Sequence, residues 1–326
     1  MKDSKVDVSA VVLSWNDRLH LKTCLESLEQ TNDGKRLEVI VVDNASSDGS
    51  AEMVRSVFPG VRLIQNHENL GFAKGNNIGI KASSGRYVCL LNSDIKLFEG
   101  CLRGLLDYME RNPDIGILGP KILNADLTHQ SSCRTYPGLW NNFCSAVGLA
   151  NVFKHVKVFS GEHMFYFRGD RVVDVDVLVG CLWLVRQEAI KQFGLLDERF
   201  FMYAEDVDWC RRCWRAGWRV VFFPDAQAIH YRGASSIKQD PVWVALTQQQ
   251  SMLRYWEKHH GAGARLGISC IMFLHKLIRL VAAVAGRWLY PAQRAECSKR
   301  IRVLAACLKA FLSNGEARSC GTSVLR

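Results

Sequence analysis

Two acidic clusters in this chain have the residue types and spacing to do chemistry. Asn92-Ser93-Asp94 closes the apolar run 87–91, and Glu205-Asp206-Val207-Asp208 opens an amphipathic stretch that ends at Gly217. A carboxylate, an amide and waters at a strand end form a hard-cation donor set that leaves room for diphosphate oxygens, as magnesium or manganese prefers. Carboxylates at a helix start can be kept ionised, and the preceding Phe200, Phe201, Met202 and Tyr203 supply apolar surroundings that raise a carboxylate toward a useful general base. Taken blandly, the first cluster is a turn and the second complements a helix dipole, a gain of roughly 0.3 to 1 kcal/mol. Their positions favour group transfer from a nucleotide-linked donor.

Three further features bear on such a donor. Asp43 begins the stretch 43–50 at a strand end, where a carboxylate can accept the imide N–H of a pyrimidine base; the same residues could instead shape a loop and cap a helix at Ser50. The segment 69–77 combines Gly71, Lys74 and Asn77 just before a helix, which suits phosphate or sugar contacts, although it matches neither a P-loop nor a dinucleotide fingerprint. His230 follows a later strand. A histidine there is more often packed than ligating, yet an edge position opposite Asp94 would let it complete a metal shell.

Positioning these groups falls to an alternation of apolar runs and helical patterns. Strands are predicted over 6–14, 37–43, 61–65, 87–91 and 115–118, and helices over 19–30, 50–58, 73–83 and 100–112. The alternation predicts a parallel α/β sheet, whose ligands gather outside the carboxyl ends of the strands, here Ser14, Asp43, Asn66 and Asn92 to Asp94. From 123 to 170 the rhythm is lost in aromatic and polar residues, and this long irregular insertion is assigned to acceptor contacts. Order returns with strands over 172–179 and 181–185, helices over 187–193 and 205–216, and a strand over 219–223 that leads to His230.

Bulk composition narrows the function classes. With 326 residues, 48% hydrophobic and 23% charged, the chain is an ordinary globular sequence, so disorder is excluded as a default. The net charge of +10 is localised: 254–326 holds 13 Lys/Arg against 3 Asp/Glu, which accounts for all of it. A neutral body with a basic tail points to an anionic surface, lipid headgroups or nucleic acid. Arg265, Lys276 and Arg287 recur at helical spacing, with Arg279 one turn beyond Lys276, on an otherwise apolar helix over 266–289; a second helix over about 293–312 puts Ile301, Leu304, Leu308 and Phe311 on one face. Because His275, Lys276 and Arg279 interrupt the first helix, it is expected to lie in a membrane interface rather than to span. Met1 to Lys5 lack the apolar core of a secretory signal, which predicts a cytosolic protein. The twelve cysteines then behave as small buried hydrophobes, and Cys210 and Cys213, the only CxxC pair, lack the partners of a structural zinc site.

Together, Val8 to Asn16, Val41 to Gly49, Asn69 to Asn77, Leu90 to Asp94, Phe201 to Asp208 and His230 to Gly233 resemble the family 2 glycosyltransferases, particularly the bacterial rhamnosyltransferase-like branch. The resemblance implies a GT-A fold, an α/β architecture with a Rossmann-like, mostly parallel central sheet flanked by helices. It divides the chain into a catalytic domain over 1–253, with a nucleotide-sugar half (1–120) and an acceptor half (121–253), and a basic helical extension over 254–326. It implies inversion at the anomeric carbon, with Asp206 as the base and Glu205 supporting it. Asp94 and His230 would bind Mg2+ or Mn2+, Trp15 and Asp43 the base, and Ser14, Gly71, Lys74, Asn77 and Asn92 would contribute to the donor pocket. The metal motif begins with Asn92 rather than Asp, which lowers the charge of the site.

The expected donor is thymidine diphosphate rhamnose, with galactofuranose, glucose or N-acetylhexosamine from uridine diphosphate as alternatives. The expected acceptor is a hydroxyl of a saccharide or lipid-linked glycan in cell-surface polysaccharide synthesis. The expected location is cytoplasmic, peripherally held at the inner face of the plasma membrane by the tail, without nucleic acid. A nicotinamide dehydrogenase is disfavoured because residues 14–20 contain no glycine, and a sugar nucleotidyltransferase because its Gly-rich N-terminal pattern is missing. A membrane-associated, non-catalytic adaptor remains the alternative of another class.

Overall fold

The computed structural model describes residues 6–31, 36–153, 155–231 and 239–313; residues 1–5, and Arg232 and Gly233 of the last motif, lie outside them. Strands β1 (Val8–Ser14), β2 (Leu37–Asp43), β3 (Arg62–Gln65) and β4 (Tyr87–Asn92) alternate with helices α1 (Arg18–Gln30), α2 (Ser50–Val57) and α3 (Gly71–Ala82). There follow β5 (Ile95–Leu97), α4 (Cys101–Arg111), β6 (Ile115–Leu123), β7 (His129–Gln130), β8 (Cys133–Arg134), α5 (Leu139–Ala146) and α6 (Leu149–Val152). The chain continues through β9 (Val173–Asp174), β10 (Val177–Leu178), β11 (Leu182–Arg186), α7 (Gln187–Phe193), α8 (Glu205–Arg215) and β12 (Arg219–His230), and ends in α9 (Pro241–Leu289) and α10 (Arg294–Leu312).

The main sheet runs β3-β2-β1-β4-β11-β6-β12-β5, with β7 added to β6 and β9 to β12. β1 to β4 pair in parallel, as expected of apolar runs joined by helical crossovers. Beyond β4 the sheet is mixed: β11 is antiparallel to both β4 and β6, β12 is parallel to β6, and β5 is antiparallel to β12. The change of direction arises because β11 reaches the sheet after the excursion through β7 to β10, not by a helical crossover from its neighbour. Alternate residues of β1 feed two layers. Val8, Ala10 and Val12 pack with Leu21, Leu25 and Leu28 of α1, while Val11 packs with Ile80, Trp183 and Trp209 on the other face. Burying each such side chain contributes about 1.5 to 3 kcal/mol.

Register puts the chemistry-bearing residues on one edge. Ser14 pairs with Asp43, Leu13 with Asn92, and Asp43 with Gln65, so the carboxyl ends of β1, β2, β3 and β4 finish together. Some elements differ from the expected spans. The run 172–179 is two short strands, and the strand over 219–223 continues to His230 through a register shift between Phe223 and Gln227, where Pro224 has no N–H to give the ladder.

The described residues fall into two compact units. One comprises 1–136 and 163–238 and contains the sheet; the other comprises 137–162 and 239–326. In the second, the helix expected over 266–289 begins at Pro241, where Asp240 caps it by accepting the N–H of Val242 (2.6 Å). Gly261 interrupts it with φ 81° and ψ 178°, so α9 is two helical segments. By length and composition alone α9 could cross a bilayer. The eleven cysteines among the described residues are free, and all but Cys270 are buried.

Candidate active site

At the end of β2, Asp43 is fully buried. Its Oδ2 accepts the N–H of Ser46 (3.1 Å), while Oδ1 has no protein partner. The hydroxyl of Ser14, its register neighbour, is also buried without a partner. Orphaned buried polar atoms are costly in a folded chain, and a pair of them at a strand edge marks a place for a polar ligand. Half-buried Trp15 sits in the loop that follows. That loop is fastened to 43–50 through Asn16, whose N–H donates to Ser46 Oγ (2.8 Å) and whose Oδ1 accepts the N–H of Ser47 (2.7 Å). Asn44 joins two more loops: its Nδ2 donates to the Gly71 carbonyl (3.1 Å) and its Oδ1 accepts from Asn66 (2.8 Å). A cavity of about 400 Å³, lined by Ala45, Ser46, Gln65, Asn66 and His67, opens at the same β2–β3 edge and lies in the size range of small-molecule sites.

Where β4 ends, Asp94 faces His230 with Oδ1 and Nε2 3.2 Å apart, because β5 carries Ile95 into register with His230 at the end of β12. The other ring nitrogen of His230 donates to Gln130 Oε1 (2.7 Å); Gln130 Nε2 in turn donates to Asn124 Oδ1 (2.8 Å) and to the His230 carbonyl (3.3 Å). With Nδ1 engaged there, His230 turns Nε2 toward a carboxylate oxygen. A proton on the imidazole or a cation between the two can hold them at this distance, and adjacent donors of an octahedral ion bound at about 2.1 Å stand about 3 Å apart. The pair therefore fits a divalent cation. It supplies two ligands only: among the described residues no group of three His, Cys, Asp or Glu is arranged to hold an ion. Asn92 is half-buried, and its N–H donates to the Cys181 carbonyl (3.0 Å). Ser93 Oγ donates to Asp17 Oδ2 (2.9 Å), and the other oxygen of Asp17 meets His20 (2.7 Å). Burial, and more weakly the charge of Asp94, push the Asp17 carboxyl up against the opposing pull of its His20 and Ser93 hydrogen bonds.

The acids of α8 are presented by a strained loop. Tyr203 (φ 71°) and Ala204 (φ 63°) are consecutive left-handed residues with side chains, each costing of order 1 kcal/mol or more. The loop is moulded by the segment 69–77. Phe72 N–H donates to the Phe201 carbonyl (2.7 Å), and Gly71 (φ 79°) lies so close to Phe201 that a Cβ would collide with its carbonyl and ring. Asn77 is buried and binds Leu196 through both its amide atoms (2.9 and 3.0 Å) and Glu198 as well (3.0 Å), so the structure gives it a scaffolding task. Lys74 is exposed on α3.

Of the three acids, Asp208 is fully buried and ion-paired to Arg212 (2.9 Å), which also binds the carbonyls of Phe193 and Leu195. Burial, and then the neighbouring Asp206, hold the Glu205 carboxyl well above the usual range, and its Oε2 is orphaned. Burial also raises Asp206, but the N–H groups of Val207 (2.8 Å) and Gly180 (3.4 Å) and the charge of Arg134 oppose the rise. Both carboxyls are thus raised, and the N–H groups of Val207 and Gly180 favour Asp206 as the member of the pair that ionises first. Asp206 is tied to the metal-side edge through two hydrogen bonds: Gly180 N–H to its carboxylate, and Asn92 N–H to the carbonyl of Cys181.

Asp94 and His230 thus meet, Asn92 and Asp43 stand at the ends of β4 and β2, and Asp206, at the start of α8, is linked to the β4–β11 side through Gly180. Three participants are not legible in the sequence. Asp17 lies between a predicted strand and helix with nothing to mark it, and Gln130 and Arg134 sit in the stretch without periodicity, where no pattern singles them out.

Residues 9–193 match the family model described as Glycosyl transferase family 2. The chain is similar to the N-acetylglucosaminyl-diphospho-decaprenol L-rhamnosyltransferase of Mycobacterium tuberculosis, 29% identical over 77% of this chain and 84% of that protein. It is also similar to the dTDP-rhamnosyl transferase RfbF of Shigella flexneri, 25% identical over 71% of each chain. Among solved structures, the mannosyltransferase PcManGT of Pyrobaculum calidifontis, in complex with GDP-Man and Mn2+, superposes with a TM-score of 0.55 and 16% identity over 96% of this chain and 91% of that one, a likeness of fold.

Proposed function

Since the chain belongs to glycosyl transferase family 2, we propose that it is an inverting enzyme that moves rhamnose from a thymidine diphosphate donor to a hydroxyl of a saccharide or lipid-linked acceptor in cell-surface glycan synthesis. The observation that supports this most directly is the Asp94–His230 pair, with Asp206 linked to the same side of the sheet through the Gly180 N–H. The names of the relatives from Mycobacterium tuberculosis and Shigella flexneri favour rhamnose, and the former favours a lipid-linked acceptor.

In the proposed reaction Asp43 Oδ1 accepts the imide N–H of the base, with Ser14 and Trp15 beside it. Asp206 takes the proton of the acceptor hydroxyl as that oxygen attacks the anomeric carbon from the face opposite the diphosphate. Glu205, buried beside it and raised in proton affinity, supports Asp206 in that role. Asp94 and His230 would hold Mg2+ or Mn2+, which when bound neutralises charge growing on the leaving diphosphate. Gln130 keeps His230 in the tautomer that ligation needs.

Asp43 reads thymine and uracil alike, so galactofuranose, glucose or N-acetylhexosamine from uridine donors is the second reading. Thermal stabilisation of the purified protein across a nucleotide-sugar panel separates them: the largest shift is expected with thymidine diphosphate rhamnose. Proton NMR of the product should show the anomeric configuration inverted, and retention would overturn the single displacement. Release of nucleoside diphosphate only on adding acceptor excludes a non-catalytic adaptor.

The division of labour follows the sequence expectation: catalysis in 1–253, with donor binding in 1–120 and acceptor binding in 121–253, and peripheral contact of the basic 254–326 with an anionic cytoplasmic leaflet. The second segment of α9 supports the last part, because it exposes Leu274, Leu277, Ile278 and Val281 between Arg265, Lys276 and Arg287.

A further inference from the structure

Residues 137–162 leave the sheet-bearing unit two residues after β8 and return to it at His163. The helices they form pack within the second unit, where α5 lies on α9 and Leu139 rests against Gly267. Their aromatic side chains are ordered but uncovered. Trp140 donates its indole N–H to the Val158 carbonyl (2.9 Å) and stacks on Phe143 (5.9 Å), and Phe153 meets Phe159 (5.4 Å). Even so, Trp140 is 49% exposed, Phe153 44% and Val152 73%. Single exposed apolar residues are ordinary; a built cluster of them marks a contact surface.

Charge identifies the occupant. Residues 137–162 and 239–326 together hold 15 Lys/Arg against 5 Asp/Glu, the full net charge of the chain, which is otherwise neutral. Exposed aromatic rings in the unit that carries this charge, on and beside α5, which packs against α9, match the interfacial zone of an anionic bilayer, where the ring sits at headgroup depth and each cation near the surface adds about 1 kcal/mol. We propose that 137–162 is a second membrane-embedding element, which inserts Trp140, Phe143 and Phe153 into the same leaflet that the second segment of α9 contacts. This rests on the peripheral-membrane reading of the tail and extends it to a segment that the sequence suggests for acceptor contacts.

The test is cosedimentation of the full chain with phosphatidylcholine vesicles, with and without phosphatidylglycerol. The combined Trp140→Ser, Phe143→Ser, Phe153→Ser variant should bind anionic vesicles at least about tenfold more weakly, with its helical circular dichroism and its donor-induced thermal shift unchanged. If it binds as wild type while Lys276→Gln, Arg279→Gln, Arg287→Gln loses binding, the inference falls and the tail reading stands. If neither variant loses binding, both fall. A vesicle-independent dimer that the aromatic variant dissociates would make the face a self-association surface and overturn the proposal. Trp140→Phe preserves packing and gives an independent measure: quenching of tryptophan fluorescence by brominated lipid should decrease in it, and undiminished quenching sinks the idea.

Discussion

At the scale of single residues, the decisive asymmetry lies between two adjacent carboxyls. Glu205 is buried with an orphaned oxygen, whereas Asp206 receives two backbone N–H groups and the field of Arg134. Asp206→Asn should therefore lower sugar transfer by about 10² to 10⁴-fold while leaving donor-induced thermal stabilisation intact. The pair also sets opposed pH dependences. Its folded-state proton affinity lies above the unfolded value, so its contribution to stability is full below the ordinary carboxylate range and is lost as pH rises through the raised value. Activity needs an ionised base and should climb over that same interval. Melting temperatures and initial rates measured on one pH series should cross, and Glu205→Gln should flatten the stability curve. Gln130 offers a third check: Gln130→Leu frees the His230 tautomer and should weaken divalent-ion affinity about 10 to 100-fold, read by calorimetry with Mn2+.

At the scale of elements, the parallel half of the sheet was legible because strands buried on both faces read as continuous apolar runs with helix patterns between them. β2 and α7 have the expected spans, and β1, β4, α1 and α3 differ by a residue or two. What the sequence could not show was direction and adjacency. A strand over 181–185 was expected, yet nothing in Leu182 to Arg186 says that it enters between β4 and β6 and runs against both. The site divides the same way. Asp94, Asp206 and Asp43 stand at ends of periodic elements and could be picked out, whereas Gln130 and Arg134 belong to two-residue strands that leave no periodic trace. The loop–loop fit between 69–77 and 196–204 was also hidden, since nothing in the sequence shows that Gly71 gives clearance to Phe201. Gly71→Ala should cost about 2 to 4 kcal/mol in denaturant unfolding, combining overpacking with left-handed strain, and should depress transfer by displacing Tyr203 and Ala204.

At the scale of the whole molecule, charge and chemistry are segregated. The unit that holds the sheet has the candidate active site and is neutral, and the unit that holds α9 and α10 has the whole of the net positive charge and much of the exposed apolar surface. Vesicle binding should therefore weaken steeply as salt is raised from low to physiological ionic strength, while a residual, salt-resistant fraction reports the apolar contacts. Pelleting assays over a salt series separate the two; binding indifferent to salt would contradict a role for the cations. The break at Gly261 bears on this surface. A continuous 49-residue helix would be a rod of roughly 74 Å. With φ 81° and ψ 178°, Gly261 adopts a conformation closed to side chains, so the orientation of the oily segment is steered by one peptide joint instead of being inherited from the rod before it.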